Sequence, residues 1–353
     1  MATSVTKESL VPDPSHPDRN LALEIVRVTE AAALASARWQ GRGDKESGDQ
    51  AAVDAMRKML SSVDMDGVVV IGEGEKDEAP MLYNGERVGS GAQPEVDIAV
   101  DPVDGTKLLA EGRPGALAVL AAAPRGTMFD PGPAVYMHKV VVGAEAADVV
   151  ELDMPIPEML KNIAAATGKR VEEVSVIMLD RPRHDDYIRQ IREVGSRLQL
   201  ISDGDVAGGL LAAWSSRQDV DLLYGIGGTP EGVSTACGVR ALDGRILGRL
   251  WARNDRELAE LRNLGYDPDR ILDTNDFVSS DDTFFACTGI TAAGLLKGVA
   301  FDRHGAITES LMMRGKSGTV RVVEARHRHK KLATYTDAGE DPAGGLPGVG
   351  SGA

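Results

Sequence analysis

Apolar positions along this chain fall into two kinds of pattern. From Arg19 to Trp39, the stretch LALEIVRVTEAAALASARW places apolar residues at helical spacing among good helix formers, which predicts a helix. GRGDKESGD (41–49) breaks that spacing, and AAVDAMRKMLSSV predicts a second helix. VVVIGEGE then reads as a buried strand running into an acidic turn, and VDIAVDPVDGT repeats the plan. ALAVLAAAP and VYMHKVVVG read as further strands. Two helices followed by several strands predict an α+β lobe.

The second half changes rhythm. VSVIMLD-RPRHDD-YIRQIREVG, LQLIS-DGDVAG-GLLAAW and DLLYGI-GGTPEG-VSTACGVRAL are each strand, turn and helix. Three such units in a row predict a Rossmann-like, doubly wound, largely parallel sheet. Ligands of such sheets sit beyond the C-terminal ends of strands, where these turns place RPRH, DGD and GGTPEG. The expected organisation is a flexible arm over 1–18, an α+β lobe over 19–150, an α/β lobe over 151–335 and a disordered Gly/Pro-rich tail over 336–353, with the lobe boundary near 145–170.

Composition narrows the class. At 353 residues the chain suits two lobes, and 42% hydrophobic with 26% charged residues is the balance of a soluble globular protein. Only 4% of residues are aromatic, against 40 glycines, which favours a multi-strand enzyme rich in tight turns. A net charge of −15 repels nucleic acid and anionic membranes, and neither is expected as a partner. It leaves open an anionic small substrate whose cleft holds cations. Cys237 and Cys287 stand alone in apolar stretches, so they read as reduced core thiols and not as zinc ligands. The N-terminus lacks the apolar stretch of a signal peptide, and no run reaches the ~18 residues of a membrane span. A cytoplasmic protein is expected.

Four segments place acids at turns: 41–49, IGEGEKDE (71–78), DPVDGT (101–106) and TPEG (229–232). For any one of them an exposed acidic turn is the simplest reading. Recurrence at strand ends favours a shared cleft, because crowded carboxylates repel unless cations neutralise them, and hard divalent cations prefer oxygen. DPVDGT is the sharpest piece. Asp101 ends a strand, Pro102 stiffens the turn, Asp104 can curl back beside Asp101, and Gly105 allows close approach. Thr106 either caps the following helix or orients a metal-bound water. Other signals are weaker. GIGGTPEG has Pro230 where a dinucleotide fingerprint needs its third glycine. RGKSGT (314–319) resembles the end of a P-loop, but Ser310 replaces the first glycine and the segment reads as an exposed strand edge. ARHRHKK (325–331) reads as a solvated face, and no GxSxG elbow occurs.

Taken in order, GRGDK…GD, VVIGEGEKDEAPMLY, DIAVDPVDGT, LDRPRH, DGDVAG and GIGGTPEG closely resemble the class II fructose-1,6-bisphosphatases. That family belongs to the lithium-sensitive, metal-dependent sugar and inositol phosphatases, and the likeness runs from about Asn20 to about His329. The resemblance implies an α/β fold, layered as an α-β-α-β-α sandwich. It implies metal ligands at Asp49, Glu73, Asp101, Asp104 and Glu231, with Lys45 near the metals and Mg²⁺ or Mn²⁺ as cofactor. Thr106 matches the threonine that helps activate the attacking water, with Asp104 or Asp101 able to accept its proton. Substrate contacts match Asp104, Gly105, Thr106, Tyr136, Arg181, Pro182, Arg183, Asp203, Gly204, Asp205 and Gly228. Many members carry glutamate where this chain has Asp104, whose shorter side chain keeps the charge but moves the carboxylate. The expected reaction is the gluconeogenic hydrolysis of fructose 1,6-bisphosphate to fructose 6-phosphate by a homo-oligomer, a dimer or tetramer. Sedoheptulose 1,7-bisphosphate and inositol monophosphate are alternative substrates, the latter disfavoured by the arginine pair. A non-catalytic sugar-phosphate sensor and a nicotinamide-dependent oxidoreductase are the readings from other classes.

Overall fold

The computed structural model describes residues 20–74, 81–217 and 219–328. The expected arm over 1–18, the tail over 336–353 and the acids of the turn at 75–78 lie outside the described residues. The first apolar stripe forms α1 (Ala22–Ser36). Helix α2 (Lys45–Leu60) starts well before its apolar pattern, because the Asp44 carboxylate accepts the Ser47 N–H at 2.9 Å and caps a polar first turn. Asp49 is therefore helical and not part of a turn, as the 41–49 pattern had suggested.

Next come β1 (Asp66–Ile71), β2 (Arg87–Val88), β3 (Glu95–Asp104), α3 (Thr106–Glu111), β4 (Leu117–Pro124) and β5 (Tyr136–Val142). After α4 (Ile156–Thr167), the three repeating units appear as β6 (Ser175–Leu179) with α5 (Asp185–Val194), β7 (Arg197–Ile201) with α6 (Val206–Ala213), and β8 (Leu222–Gly228) with α7 (Thr229–Arg240). The chain continues through β9 (Arg245–Trp251), α8 (Asp255–Asn263), β10 (Leu272–Asp273), α9 (Thr274–Phe277), β11 (Phe284–Gly289), β12 (Ala300–Phe301), β13 (Gly305–Arg314) and β14 (Thr319–Arg328).

Two sheets result. One has eight strands in the order β12-β13-β11-β4-β3-β1-β2, with β14 paired to β13, and the other has six in the order β10-β9-β5-β8-β6-β7. The two sheets interleave along the sequence about the expected boundary near 145–170. Strand β5 precedes that point yet lies inside the second sheet, and β11 to β14 return to the first. The second sheet is also mixed: β6, β7 and β8 are parallel as expected, but β5 runs antiparallel to β8 and β9. RGKSGT is the turn of the β13–β14 hairpin and not a strand edge.

Packing gives five layers. Helices α1 and α2 cover one face of the first sheet, α6 and α7 fill the space between the sheets, and α4 and α5 cover the outer face of the second. Strand β4 shows why its sequence is continuously apolar. Leu117, Val119, Ala121 and Ala123 enter the core between the sheets, while Ala118, Leu120 and Ala122 enter the core beneath α1 and α2. Cys237 and Cys287 are buried, unbridged and pushed up by desolvation, Cys237 to about 12, as core thiols should be.

On the outer face of β5, His138 stacks on Tyr187 at 5.8 Å and meets the edge of Tyr224 at 4.9 Å. Its Nε2 is buried without a hydrogen-bond partner among the described residues, and burial, with Arg249 and His184 nearby, pushes its pKa down from 6.5 to about 4. A depressed histidine contributes stability fully above pH 6.5 and loses it as pH falls towards 4, a change of at most about 3 kcal/mol. His138→Phe keeps the stacking and removes the titration. Denaturant unfolding should show a smaller loss of stability between pH 8 and pH 4.5 in the variant than in the parent, with similar values at pH 8.

Candidate active site

The site is built from irregularities in otherwise regular elements. Residues three apart on a strand point to opposite faces, so Asp101 and Asp104 in a regular β3 would diverge. The β3–β4 register shifts between them: Asp101 pairs with Val119 and Asp104 with Leu117, so three steps on one strand match two on the other. That bulge returns both carboxylates to one face. Pro102 sits inside the bulge, where its missing N–H costs no ladder bond, and the Asp101 carboxylate accepts the Val103 N–H at 3.1 Å to hold the bend. Gly105 follows with φ 92°, a left-handed conformation that glycine adopts freely, and it is the N-cap of α3. Thr106 is thus the first helical residue and not the cap, and its hydroxyl is not engaged in capping.

Glu231 reaches the same point from the opposite sheet. Gly228 is the N-cap of α7, Pro230 fits the first turn, and Glu231 lies in that turn with its carboxylate turned back towards the helix start. One oxygen each from Asp101, Asp104 and Glu231 lie within 4.8 Å of one another. Asp49 on α2 and Glu73 after β1 complete the cluster electrostatically. Burial, followed by Asp49 and Glu231, pushes Glu73 up to about 7. Burial, then Asp104, Glu73, Glu231 and Asp49, holds Asp101 well above the usual carboxylate range. Asp104 is raised by burial and then by Glu231, and Asp49 by burial against the opposing charge of Lys45 one turn earlier on α2. Three of the five acids named from the sequence meet, Glu73 and Asp49 lie within electrostatic reach of them, and exposed Lys45 acts on Asp49.

Two of the predicted residues tie the two sheets together. The Asp104 carboxylate accepts the Val206 N–H of α6 at 3.3 Å, while the Asp203 carboxylate accepts the Lys107 N–H of α3 at 3.2 Å. Each sheet thus supplies a cap to a helix of the other. An aspartate just ahead of a helix commonly caps it. Asp205 is indeed the N-cap residue of α6, but its side chain does not cap, and both its oxygens turn to Lys139. Arg181 bonds the Asp180 and Ser202 carbonyls and pairs with Asp203 at 3.4 Å. Pro182 opens the short 3₁₀ turn that carries Arg183, whose guanidinium bonds the Ile226 carbonyl and lies 5.0 Å from the centre of the Tyr136 ring. Tyr136 is half-buried at the start of β5, meets Trp251 edge-on and lies 5.8 Å from the Arg253 guanidinium. Its partial exposure sets it apart from a fully buried core tyrosine. Gly204, with φ 65°, leaves room for the Asp104 carboxylate, which a Cβ there would approach to 2.8 Å.

Three neighbours were not singled out from the sequence. His184 is fully buried; its Nε2 accepts the Ile226 N–H at 2.8 Å, so Nδ1 donates to the Leu179 carbonyl at 2.7 Å. This neutral ring pins the Arg181–Arg183 turn to β8. Lys139 left a signal, a charge in the middle of the apolar run VYMHKVVV. Arg253, in a polar loop before α8, left none.

The metal-ligating groups that meet among the described residues are three carboxylates, a hard oxygen donor set that suits a divalent cation and no soft metal. Arg181 reaches this neighbourhood through its ion pair with Asp203, and the start of α7 carries Glu231 itself. The model of the bacterial, glpX-encoded fructose-1,6-bisphosphatases matches residues 19–327. The chain belongs to that family. It is 47% identical over 322 residues to the "fructose-1,6-bisphosphatase 1 class 2" of Escherichia coli K12, covering 88% of this chain and 95% of that protein. The class 2 enzyme of Shigella flexneri is similar to the same degree, 47% over 322 residues. The bisphosphatase family match takes in every one of the bulge, the α7 start and the RPRH turn. No helix among the described residues is long and apolar enough to cross a membrane.

Proposed function

We propose that this chain hydrolyses fructose 1,6-bisphosphate to fructose 6-phosphate and phosphate, with Mg²⁺ or Mn²⁺ held by Asp49, Glu73, Asp101, Asp104 and Glu231. The observation that carries this reading is the meeting of Asp101, Asp104 and Glu231 within 4.8 Å, with Glu73 and Asp49 in electrostatic reach of them. A bound divalent cation supplies charge neutralisation at the reacting phosphate and lowers the pKa of water. The chain supplies the rest. Thr106, first in α3, offers its hydroxyl to orient the attacking water, and Asp104 or Asp101 accepts the proton. The N–H groups at the start of α7 face the phosphate. Arg181 and Arg183 suit the distant phosphate, and Asp203 with Asp205 suit the sugar hydroxyls.

Phosphate release from fructose 1,6-bisphosphate, sedoheptulose 1,7-bisphosphate and an inositol monophosphate, with Mg²⁺ and Mn²⁺ in turn, tests the assignment. The highest kcat/KM is expected for fructose 1,6-bisphosphate, and preference for the monophosphate would overturn it. Thr106→Ala should lower kcat by about 10²- to 10⁴-fold with an unchanged circular-dichroism spectrum. Near-parental turnover would remove the threonine from the mechanism.

A further inference from the structure

Lys139 is the only lysine buried among the described residues, at 2% exposure, and it projects from β5 towards the starts of α6 and α7. Its Nζ lies 2.8 Å from Oδ1 and 2.7 Å from Oδ2 of Asp205, and 2.9 Å from the Gly228 carbonyl. The two Asp205 oxygens lie close together and share a hydrogen of the ammonium, and the Gly228 carbonyl takes another. The ammonium is thus engaged with two protein groups, one at the start of α6 and one ahead of α7.

Stability does not explain the pair. Two desolvated charges gain little over well-packed apolar side chains of similar volume, so a buried ion pair is poor evidence of a stabilising role. Geometry explains it better. Asp205 stands at the start of α6 and Gly228 at the junction of β8 and α7, and only Lys139 joins them. The backbone is shaped around the contact: a Cβ on Gly227 would lie 2.0 Å from Asp205 Oδ2 and 3.1 Å from Lys139 Nζ. The same charge also opposes the crowding of acids at Asp104 and Glu231.

We infer that Lys139 is a positioning residue, holding the Asp205 carboxylate and the Gly228 carbonyl as one rigid edge against which the sugar ring is oriented. This rests on the bisphosphatase reading, but the two fail separately. Phosphate release by the parent tests the reaction, whereas only comparison among variants tests Lys139.

The test is steady-state kinetics on the full chain with fructose 1,6-bisphosphate and saturating Mn²⁺, for Lys139→Met, Asp205→Asn and the double variant. Lys139→Met keeps the length and removes the donors. Its KM should rise roughly 10- to 100-fold, the range for loss of a charge-assisted hydrogen bond, with a much smaller change in kcat. The double variant should have the KM of Asp205→Asn alone, because Lys139 acts only through that carboxylate. A purely structural lysine would instead lower the folded fraction and apparent kcat at constant KM, and that result overturns the inference. Should Lys139→Met fail to fold, Asp205→Asn and the double variant decide the matter. Equal KM values support the role, and a further rise in the double variant overturns it.

Discussion

Replacing Asp101 with asparagine is expected to lower kcat/KM by about 10³-fold while raising the melting temperature of the metal-free protein. The two effects share one cause. Asp101 is held well above the usual carboxylate range by burial, and after that by Asp104, Glu73, Glu231 and Asp49. Without a cation these acids repel one another in a poorly solvated space, so the metal-free fold carries their mutual strain. Asparagine nearly preserves the shape and keeps the oxygen that accepts the Val103 N–H, so the β3 bulge should survive. One negative charge leaves, and so does one ligand. Thermal unfolding with and without Mn²⁺ reads both consequences. The parent should gain several degrees on adding the ion, since a ligand at 100 times its Kd contributes about 2.7 kcal/mol. Asp101→Asn should start higher and gain less. A variant less stable than the parent in chelator would show that the cluster is not under repulsion.

How much of this was legible beforehand differs from residue to residue. The order of elements and the layering follow from hydrophobic periodicity, since a helix or strand must bury the face that its pattern marks. The pattern marks which residues are buried but names no partner. Val140 and Val141 of β5 look as apolar as Val119 of β4, yet the two strands lie in different sheets. Asp49 is helical where a turn was expected, because a capped polar first turn has no apolar periodicity to reveal it. The five acids were found through the family motifs, while the reason two of them share a face, a one-residue bulge, lies in a pairing register that no local pattern encodes. Lys139 was visible as an anomaly and went unread. The reciprocal capping by Asp104 and Asp203 joins residues about 100 positions apart, so only the folded arrangement shows it.

The paired glycines of GIGGTPEG illustrate the same limit and carry the second large prediction. They resemble a nucleotide fingerprint in sequence, but in the structure each makes room for a carboxylate. Gly228 has φ −67°, which any residue adopts, so its backbone does not require glycine. A Cβ there would meet Glu231 Oε2 at 1.8 Å, and one on Gly227 would meet Asp205 Oδ2 at 2.0 Å. In both cases the obstructed atom is the end of a side chain, so substitution should displace the carboxylate and leave the fold in place. Gly228→Ala should therefore lower kcat by about 10²-fold or more through loss of Glu231 from the acid cluster, with a melting temperature within a few degrees of the parent. Gly227→Ala strikes Asp205 instead and should act mainly on KM, about tenfold or more, in the manner of Lys139→Met. Adjacent methyl groups would thus separate catalysis from substrate orientation. If both variants lowered kcat alike with unchanged KM, Asp205 would belong with the acid cluster and not with the sugar-binding edge.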